Sequence, residues 1–578
     1  MKKNLLKCFA YILVLTVAVS IAPLHANAAD ISSNPSASSK SYEKAIDLKI
    51  LGLVANTPDN FQLDRAPTRT EGAVMLIRLL GKEAQVLKGT YQHPFTDVPA
   101  WADKYIGYMY ENKLTVGINE SHFGSALKLN ASQYVTFVLR SLGYQDGVDF
   151  NYSQAIDKAL ALGIVSSAEA VALKSPAAFL RDDMFSISHN ALSAALKGSP
   201  ATLLDKLADT DKAIYKPAAT ALGLYTSDVK KEYANISTLT LPTTAYGIEV
   251  KNSEDFYKVV RYGLCNFEGS LTLDIRNYSG SYKDDFKGVY NRARASAEDF
   301  TGVKNYSSGL KYSASSMRMT LTFEYKYSKD EFKKRLENVR AALKKARHVV
   351  ANLITSGMGD FEKELVLHDY IVNNTRYDIE NEKKDTIPDS SFEEYGALVL
   401  GVAVCEGYSR AMKLMCDLSG IECIIVTGSS ISRGVGHAWN IVKIDGEYYH
   451  LDLTYDDPVT DDDTNKLRYD YFNLPDSEMM LYCDWDKAAY PACTSTENSY
   501  FTKYNMVVRD KAAFSKAVQD GIEKRRSTIE LKVLDYSQSN YSKRDIYDIV
   551  LLSRDVTEYR YSINDTIGII RIFNIKYS

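Results

Sequence analysis

At 578 residues the chain is too long for one hydrophobic core and has room for roughly three to five domains. Its 69 basic against 73 acidic residues leave a formal charge of −4, which argues against nucleic acid as a partner. Seven cysteines are too few for a dense disulfide framework.

Residues 1–28 read as a secretory signal peptide: Lys2, Lys3 and Lys7 precede an apolar run from Phe9 to Ala22, and Ala26 and Ala28 supply small residues before a cleavage point. Pro23 interrupts the run short of the about 20 residues that a spanning helix needs. No later segment is apolar enough to cross a bilayer, and the C-terminal "RIFNIKYS" is no sorting tail. The sequence thus predicts an exported protein held to its cell, if at all, by a binding domain. Residues 29–41, "ISSNPSASSKS" among them, form a polar linker.

Residues 42–230 are Ala- and Leu-rich, helical, and self-similar at a period of roughly 50 residues. Three helix–loop–helix units line up: "AIDLKILGLV" with "TRTEGAVMLIRLLG", "YIGYMYENKLTVG" with "NASQYVTFVLRSLG", and "AIDKALALGIV" with "LRDDMFSISHNALSAAL". Phe95, Asp97, Val98, Pro99 and Trp101, together with the tetrad "TRTE" (Thr68 to Glu71), resemble the S-layer homology (SLH) domain. That resemblance implies three repeats forming an all-α anchor for secondary cell-wall polysaccharide of a Gram-positive-type bacterium, at the cell wall or S-layer. It nominates Arg69, Asp97, Trp101 and Arg181 as sugar contacts. The second unit departs from the pattern, with Ala131 in place of the tetrad arginine. The residues alone leave Arg69 open between sugar contact and a helix-start ion pair.

A second repeat is discontinuous: "DFYKVVRYGLCNFEGSLTLDIRNYS" from Asp255 aligns without gaps on "AFSKAVQDGIEKRRSTIELKVLDYS" from Ala513, and "MRMTLTFEYKY" recurs as "GIIRIFNIKY". Each copy reads helix, strand, helix, strand. Two small α/β modules, at 235–345 and 500–578, therefore flank a core at 346–497.

Within that core, Cys405 opens "CEGYSRAMKLMC". Tyr408, Ala411, Met412 and Met415 recur at helical spacing, so the thiol sits at a helix start, where orphan N–H groups and the dipole favour a thiolate. Gly407 beside it reads as room for a substrate. The partners lie in "GHAWNIVKIDGEYYHLDLTYDDP". "IDGE" predicts a two-residue hairpin turn at Asp445 and Gly446, so Ile444 opposes Glu447, Trp439 opposes Asp452 and His437 opposes Thr454. His437 and Asp452 are then diagonal neighbours on one face, about 7–8 Å apart at the backbone. Tyr449, Leu451, Leu453 and Tyr455 are expected on the core face.

Cys405, His437 in "HAWN" and Asp452 in "YYHLDLTYDDP", preceded by "LHDYIVNNTRYD", resemble the transglutaminase-like superfamily. The resemblance implies a papain-like α+β core and a Cys–His–Asp acyl-thioester enzyme acting on amide bonds of surface proteins or peptidoglycan peptides. A cysteine peptidase or amidase of the same fold and a silent S-layer-associated binding protein are the alternatives. The backbone N–H of Cys405 is one natural oxyanion donor, and Tyr395 or Trp439 are candidates to contribute the second or to line the site. His368 reads as a packing or hydrogen-bonding histidine, His450 opposes Ile441 further from where His437 projects, and "DDPVTDDDTN" reads as a solvated loop. Cys416 with Cys423, or Cys483 with Cys493, could close small disulfide loops. Nothing calls for a cofactor or a metal.

Overall fold

The computed structural model describes residues 39–175, 177–225, 240–301, 307–315, 317–457, 467–553 and 555–578. The expected signal peptide, most of the linker and most of the acidic run lie outside the described residues.

In the N-terminal region the first helix of each unit packs on the second helix of another unit: Asp103–Glu111 on Arg69–Leu79, Ala155–Ala161 on Ala131–Ser141, and Tyr42–Ile50 on Arg181–Ala191. Each second helix starts at one of the tetrads, and the reason is local. Thr68 accepts the N–H of Glu71 while Glu71 answers the N–H of Thr68, and Asn130 with Gln133 does the same. At the third helix Asp183 takes the N–H of Leu180 at 3.0 Å. The segments before the tetrads then pair: the N–H groups of Arg69 and Arg181 donate to the carbonyls of Leu127 (2.7 Å) and Arg65 (2.9 Å). One continuous core runs through all three units.

This bundle is seated on the central domain. Arg347 bonds Asp47 at 2.7 Å, His348 meets Glu43 at 3.0 Å, and Ile50, Ala221 and Leu222 pack against the central core. The 25-residue helix Lys329–Leu353 corrects the expected boundary at 345/346. Its start places Phe332 in the core of the first module, while Ala346, Val349 and Val350 enter the central core. No glycine or proline interrupts the run, so one helix serves both bodies.

The two flanking sheets share a topology. In the first, Gly247–Glu249 runs parallel to Ser270–Asp274, which pairs antiparallel with Arg318–Tyr325 and then Ser307–Ala314. In the second, Val507–Val508, Thr528–Val533, Ile569–Tyr577 and Val556–Asn564 repeat that order and those directions. Each copy thus begins with a short parallel strand and ends in a hairpin, two strands more than the sequence suggested, and the first sheet adds Thr243–Thr244 at its edge.

The central domain packs the helix Cys405–Ser419 on a five-stranded antiparallel sheet ordered Phe472–Leu474, Glu447–Leu451, Gly436–Ile444, Cys423–Ser430 and Cys483–Asp484. Tyr408, Ala411, Met412 and Met415 are fully buried between helix and sheet. The hairpin turn has φ of 51° at Asp445 and 94° at Gly446, the left-handed pair that this connection requires. Ile444 faces Glu447, and the pairing ends at Leu451 with Asn440. Among the described residues no helix is long and apolar enough to cross a membrane.

Candidate active site

The strand after the hairpin stops one residue before Asp452, and this reorganises the expected face. Asp452 becomes the N-cap of the short helix Leu453–Asp456, its Oδ1 accepting the N–H groups of Thr454 and Tyr455 at 3.1 Å each. Thr454 therefore does not oppose His437. Tyr455 leaves the core face and stacks on the His437 ring, centroids 4.5 Å apart and planes 13° from parallel.

Cys405 is the first residue of its helix and half-buried, so its own N–H has no intrahelical acceptor. Extended Val404 precedes it, held by its N–H to the carbonyl of Ser391 at 2.9 Å. Gly407 serves packing rather than substrate: a Cβ there would stand 2.5 Å from the Ser391 carbonyl oxygen and 2.8 Å from the Ala403 side chain. Asn440 ties the strand to the helix by donating to the Ser409 carbonyl at 3.0 Å.

His437 is 8% exposed and its Nε2 lies 2.7 Å from Asp452 Oδ2. With Nε2 committed to Asp452, Nδ1 is the nitrogen left for sulfur, and Cys405 is near enough to favour charge on the ring. Burial works against charge on His437, but the Asp452 carboxylate, its hydrogen bond and the nearby Cys405 outweigh it and raise the imidazole to about 10. Asp452 is 1% exposed, so its charge acts in a dry setting.

The cluster contains groups that the sequence did not single out. Burial, then the neighbouring Cys405 and Glu382, pushes the Tyr377 hydroxyl up. It donates to Glu382 at 3.0 Å, and Arg433 binds the other Glu382 oxygen at 2.8 Å. Cys483 has its sulfur within 4.8 Å of His437 and Asp452. Tyr377 stands in the quoted "LHDYIVNNTRYD" and Tyr455 three residues after Asp452, so both were in view without a reason to choose them.

Other candidates fall elsewhere. Trp439 is corrected as an oxyanion donor: it is 1% exposed and its indole N–H donates to His450 Nδ1 at 2.9 Å. Tyr395 is half-buried at the head of the wide π-helical turn Gly396–Leu400. His368 is fully buried between Asp369 (3.0 Å) and Asp456 (3.3 Å), a structural ion cluster. Burial opposes its charge, and the two carboxylates raise it to about 9 all the same. The six cysteines among the described residues are free thiols, so neither expected loop closure is present.

A second group of the same types, His450, Asp476 and Cys493, has its ligand atoms within 4.8 Å, as do His437, Asp452 and Cys483. These donors suit a zinc ion. In both groups, however, the histidine and aspartate are already joined directly, at 2.8 Å and 2.7 Å, with no room for an ion between them.

In the N-terminal region Arg69 makes no ion pair among the described residues. Its guanidinium lies 5.0 Å over the Phe123 ring with a buried, unpartnered Nε. Arg181 instead bonds Glu71 and the Phe61 carbonyl, both at 2.8 Å, and is 5% exposed. Both Asp97 oxygens are taken by the backbone N–H groups of Phe123, Gly124 and Ser125 at 2.7–2.9 Å, so that carboxylate shapes a loop. Trp101 is 61% exposed beside a groove of about 280 Å³ that Glu71 and Arg181 also line.

Residues 347–453, which hold Cys405, His437 and Asp452, match the model of the transglutaminase-like superfamily. They form a transglutaminase-like domain. Mouse (Mus musculus) "Kyphoscoliosis peptidase" is 27% identical over 134 residues, 21% of this chain and 20% of that protein. "Surface layer protein" of Brevibacillus choshinensis is 25% identical over 24% of this chain and 12% of its own. "Middle cell wall protein" of Brevibacillus brevis is 26% identical over 32% of this chain and 18% of its own. The chain thus spans a fifth or less of the length of these relatives. A solved structure, "Crystal structure of a TGase", covers 45% of this chain and 66% of its own at 16% identity, with a TM-score of 0.20.

Proposed function

We propose that the transglutaminase-like domain is a cysteine enzyme working through an acyl-thioester, and that the protein is exported and held at a bacterial cell wall by its helical repeats. The observation that carries the reading is the direct His437–Asp452 bond beside Cys405, with the sulfur at a helix start and the imidazole poised to stay cationic.

In this reading His437 Nδ1 takes the thiol proton and Asp452 holds Nε2–H, which fixes the ring. The thiolate adds to an amide carbonyl, and the Cys405 N–H stabilises the oxyanion. Collapse expels the amine, which carries away the proton from His437, and leaves the thioester. An incoming amine or water gives its proton to His437, attacks the thioester and releases Cys405. An amine makes a crosslink and water makes a cleavage. Hydrolysis has the printed name of the kyphoscoliosis peptidase in its favour, so the products separate the two: mass analysis of surface-protein substrates should show joined or shortened peptides, and neither with Cys405→Ala.

For the anchor, the surface-layer and cell-wall names of the Brevibacillus relatives agree with an SLH reading of residues 42–230. Arg69 and Trp101 are the sugar contacts in this proposal. Arg181 and Asp97 hold the repeats in shape. Full-length protein should co-sediment with wall bearing its secondary polysaccharide, and Arg69→Ala should weaken that without touching Cys405 reactivity. Binding undiminished after polysaccharide is stripped from the wall would rule out this anchor.

A further inference from the structure

The flanking modules carry no chemistry of their own in the reading above, yet the second one reaches the site through unbroken contacts. Its Arg571, 7% exposed, pairs with Asp470, 2% exposed, and Asn564 donates to the same carboxylate at 3.0 Å. Asn564 also accepts the Tyr482 hydroxyl at 3.1 Å. Lys532 bonds Glu478 through both oxygens, at 2.6 and 2.7 Å. A separable binding domain has no use for a buried ion pair across its junction, because breaking such a pair strands a charge.

What these contacts hold is the segment that holds the acid and the ring. Tyr471, next to Asp470, accepts the N–H of Asp452 at its carbonyl (3.1 Å) and donates its own N–H to Asp456 (3.0 Å). The Tyr471 ring lies between Tyr482 (4.8 Å) and Tyr455 (5.0 Å), both edge-on. Tyr455 is stacked on His437, and its hydroxyl is fixed to Ser430 at 2.8 Å. Trp439 stacks on the same imidazole at 5.8 Å and 22°. A chain of neighbours therefore runs from Asn564 and Arg571 through Asp470, Tyr471 and Tyr482 to Asp452 and Tyr455, and ends on His437.

We infer that the C-terminal module is a positioning element of the cysteine site, setting the plane of His437 through the Tyr455 ring and the place of Asp452 through Tyr471. The inference rests on the cysteine-enzyme reading. Tyr455 contributes twice: its face favours a cationic ring against it, and its bulk limits rotation of the imidazole. A histidine free to turn would lose its line to either the sulfur or the carboxylate.

The test is the pH dependence of Cys405 alkylation by iodoacetamide in the full-length protein, with the modified residue located by mass spectrometry. Asn564→Ala touches no reacting group and leaves Arg571 facing Asp470. It should lower the rate at pH 6 by about tenfold and move the acid limb up by about one pH unit. Tyr455→Leu should do the same, whereas Tyr455→Phe keeps the ring and should keep the wild-type limb. Should Asn564→Ala unfold, seen by circular dichroism, Tyr482→Phe removes one of its two contacts, the Tyr482 bond, and its limb should also rise. A folded Asn564→Ala or Tyr482→Phe with the wild-type profile overturns the inference alone. A wild-type rate indifferent to His437→Ala overturns the cysteine-enzyme reading, and this inference with it.

Discussion

Two Cys–His–Asp groups stand on either side of Trp439, and only one has the arrangement that the proposed cysteine chemistry needs. In Cys405, His437 and Asp452 the sulfur is half-buried at a helix start, and the histidine has a carboxylate on one nitrogen and the other left for the nearby sulfur. In Cys493, His450 and Asp476 the sulfur is 1% exposed, and the Trp439 indole donates to His450 Nδ1. A nitrogen that accepts that bond must keep its lone pair, so His450 is neutral and donates from Nε2 to Asp476. Burial accordingly lowers His450, while His437 is raised to about 10. Identical residue types thus give an ion-pair former and a structural rivet. What separates them is access to the sulfur and the occupant of the second nitrogen.

The hardest way to break this comparison is by substitution at the two sulfurs. Cys405→Ala should remove turnover, a loss of more than about 10⁴-fold, whereas Cys493→Ala should leave it and cost about 1 kcal/mol of packing in a denaturant melt. Next comes the acid. Asp452→Asn keeps the cap on Leu453–Asp456 but misorients His437, and should cost about 10³- to 10⁴-fold in rate. Asp476→Asn should appear in the melting temperature instead.

A smaller effect belongs to Trp439→Phe, which leaves His450 Nδ1 unsatisfied and should cost about 1–3 kcal/mol. The smallest is in the pH dependence of stability, where the two histidines act with opposite sign. The folded value of His437 lies above its unfolded 6.5, so its stabilising contribution is complete below about 6.5 and is lost as pH rises through about 10. The folded value of His450 lies below 6.5, so the native state binds fewer protons and loses stability as pH falls below that point. His437→Gln should flatten the alkaline side of the stability curve and His450→Gln the acid side. The reverse pattern would mean that the two protonation states are exchanged.

The sequence carried the hairpin well, since Asp445–Gly446 admits one turn type and that turn sets which residues oppose. The buried face of the cysteine helix was legible for the same reason, a strict period. Legibility failed where alternation and capping compete. "YYHLDLTYDD" alternates like a strand, but Asp452 gains two backbone N–H bonds by starting a helix, and that swings Tyr455 from the core to the histidine. Trp439 looked available because sequence cannot show that His450, eleven residues on, claims its N–H. The boundary at 345/346 failed because a domain edge need not interrupt a helix.

The most direct test of the central claim reads both cysteines in one experiment: site-resolved alkylation of Cys405 and Cys493 in folded protein from pH 5 to 9, with and without His437→Ala. The account predicts rapid modification of Cys405 well below the free-thiol value of about 8.5, collapse of that rate in the variant, and no modification of Cys493 until the protein unfolds. A Cys405 rate that rises only near pH 8.5 and ignores the substitution would contradict it.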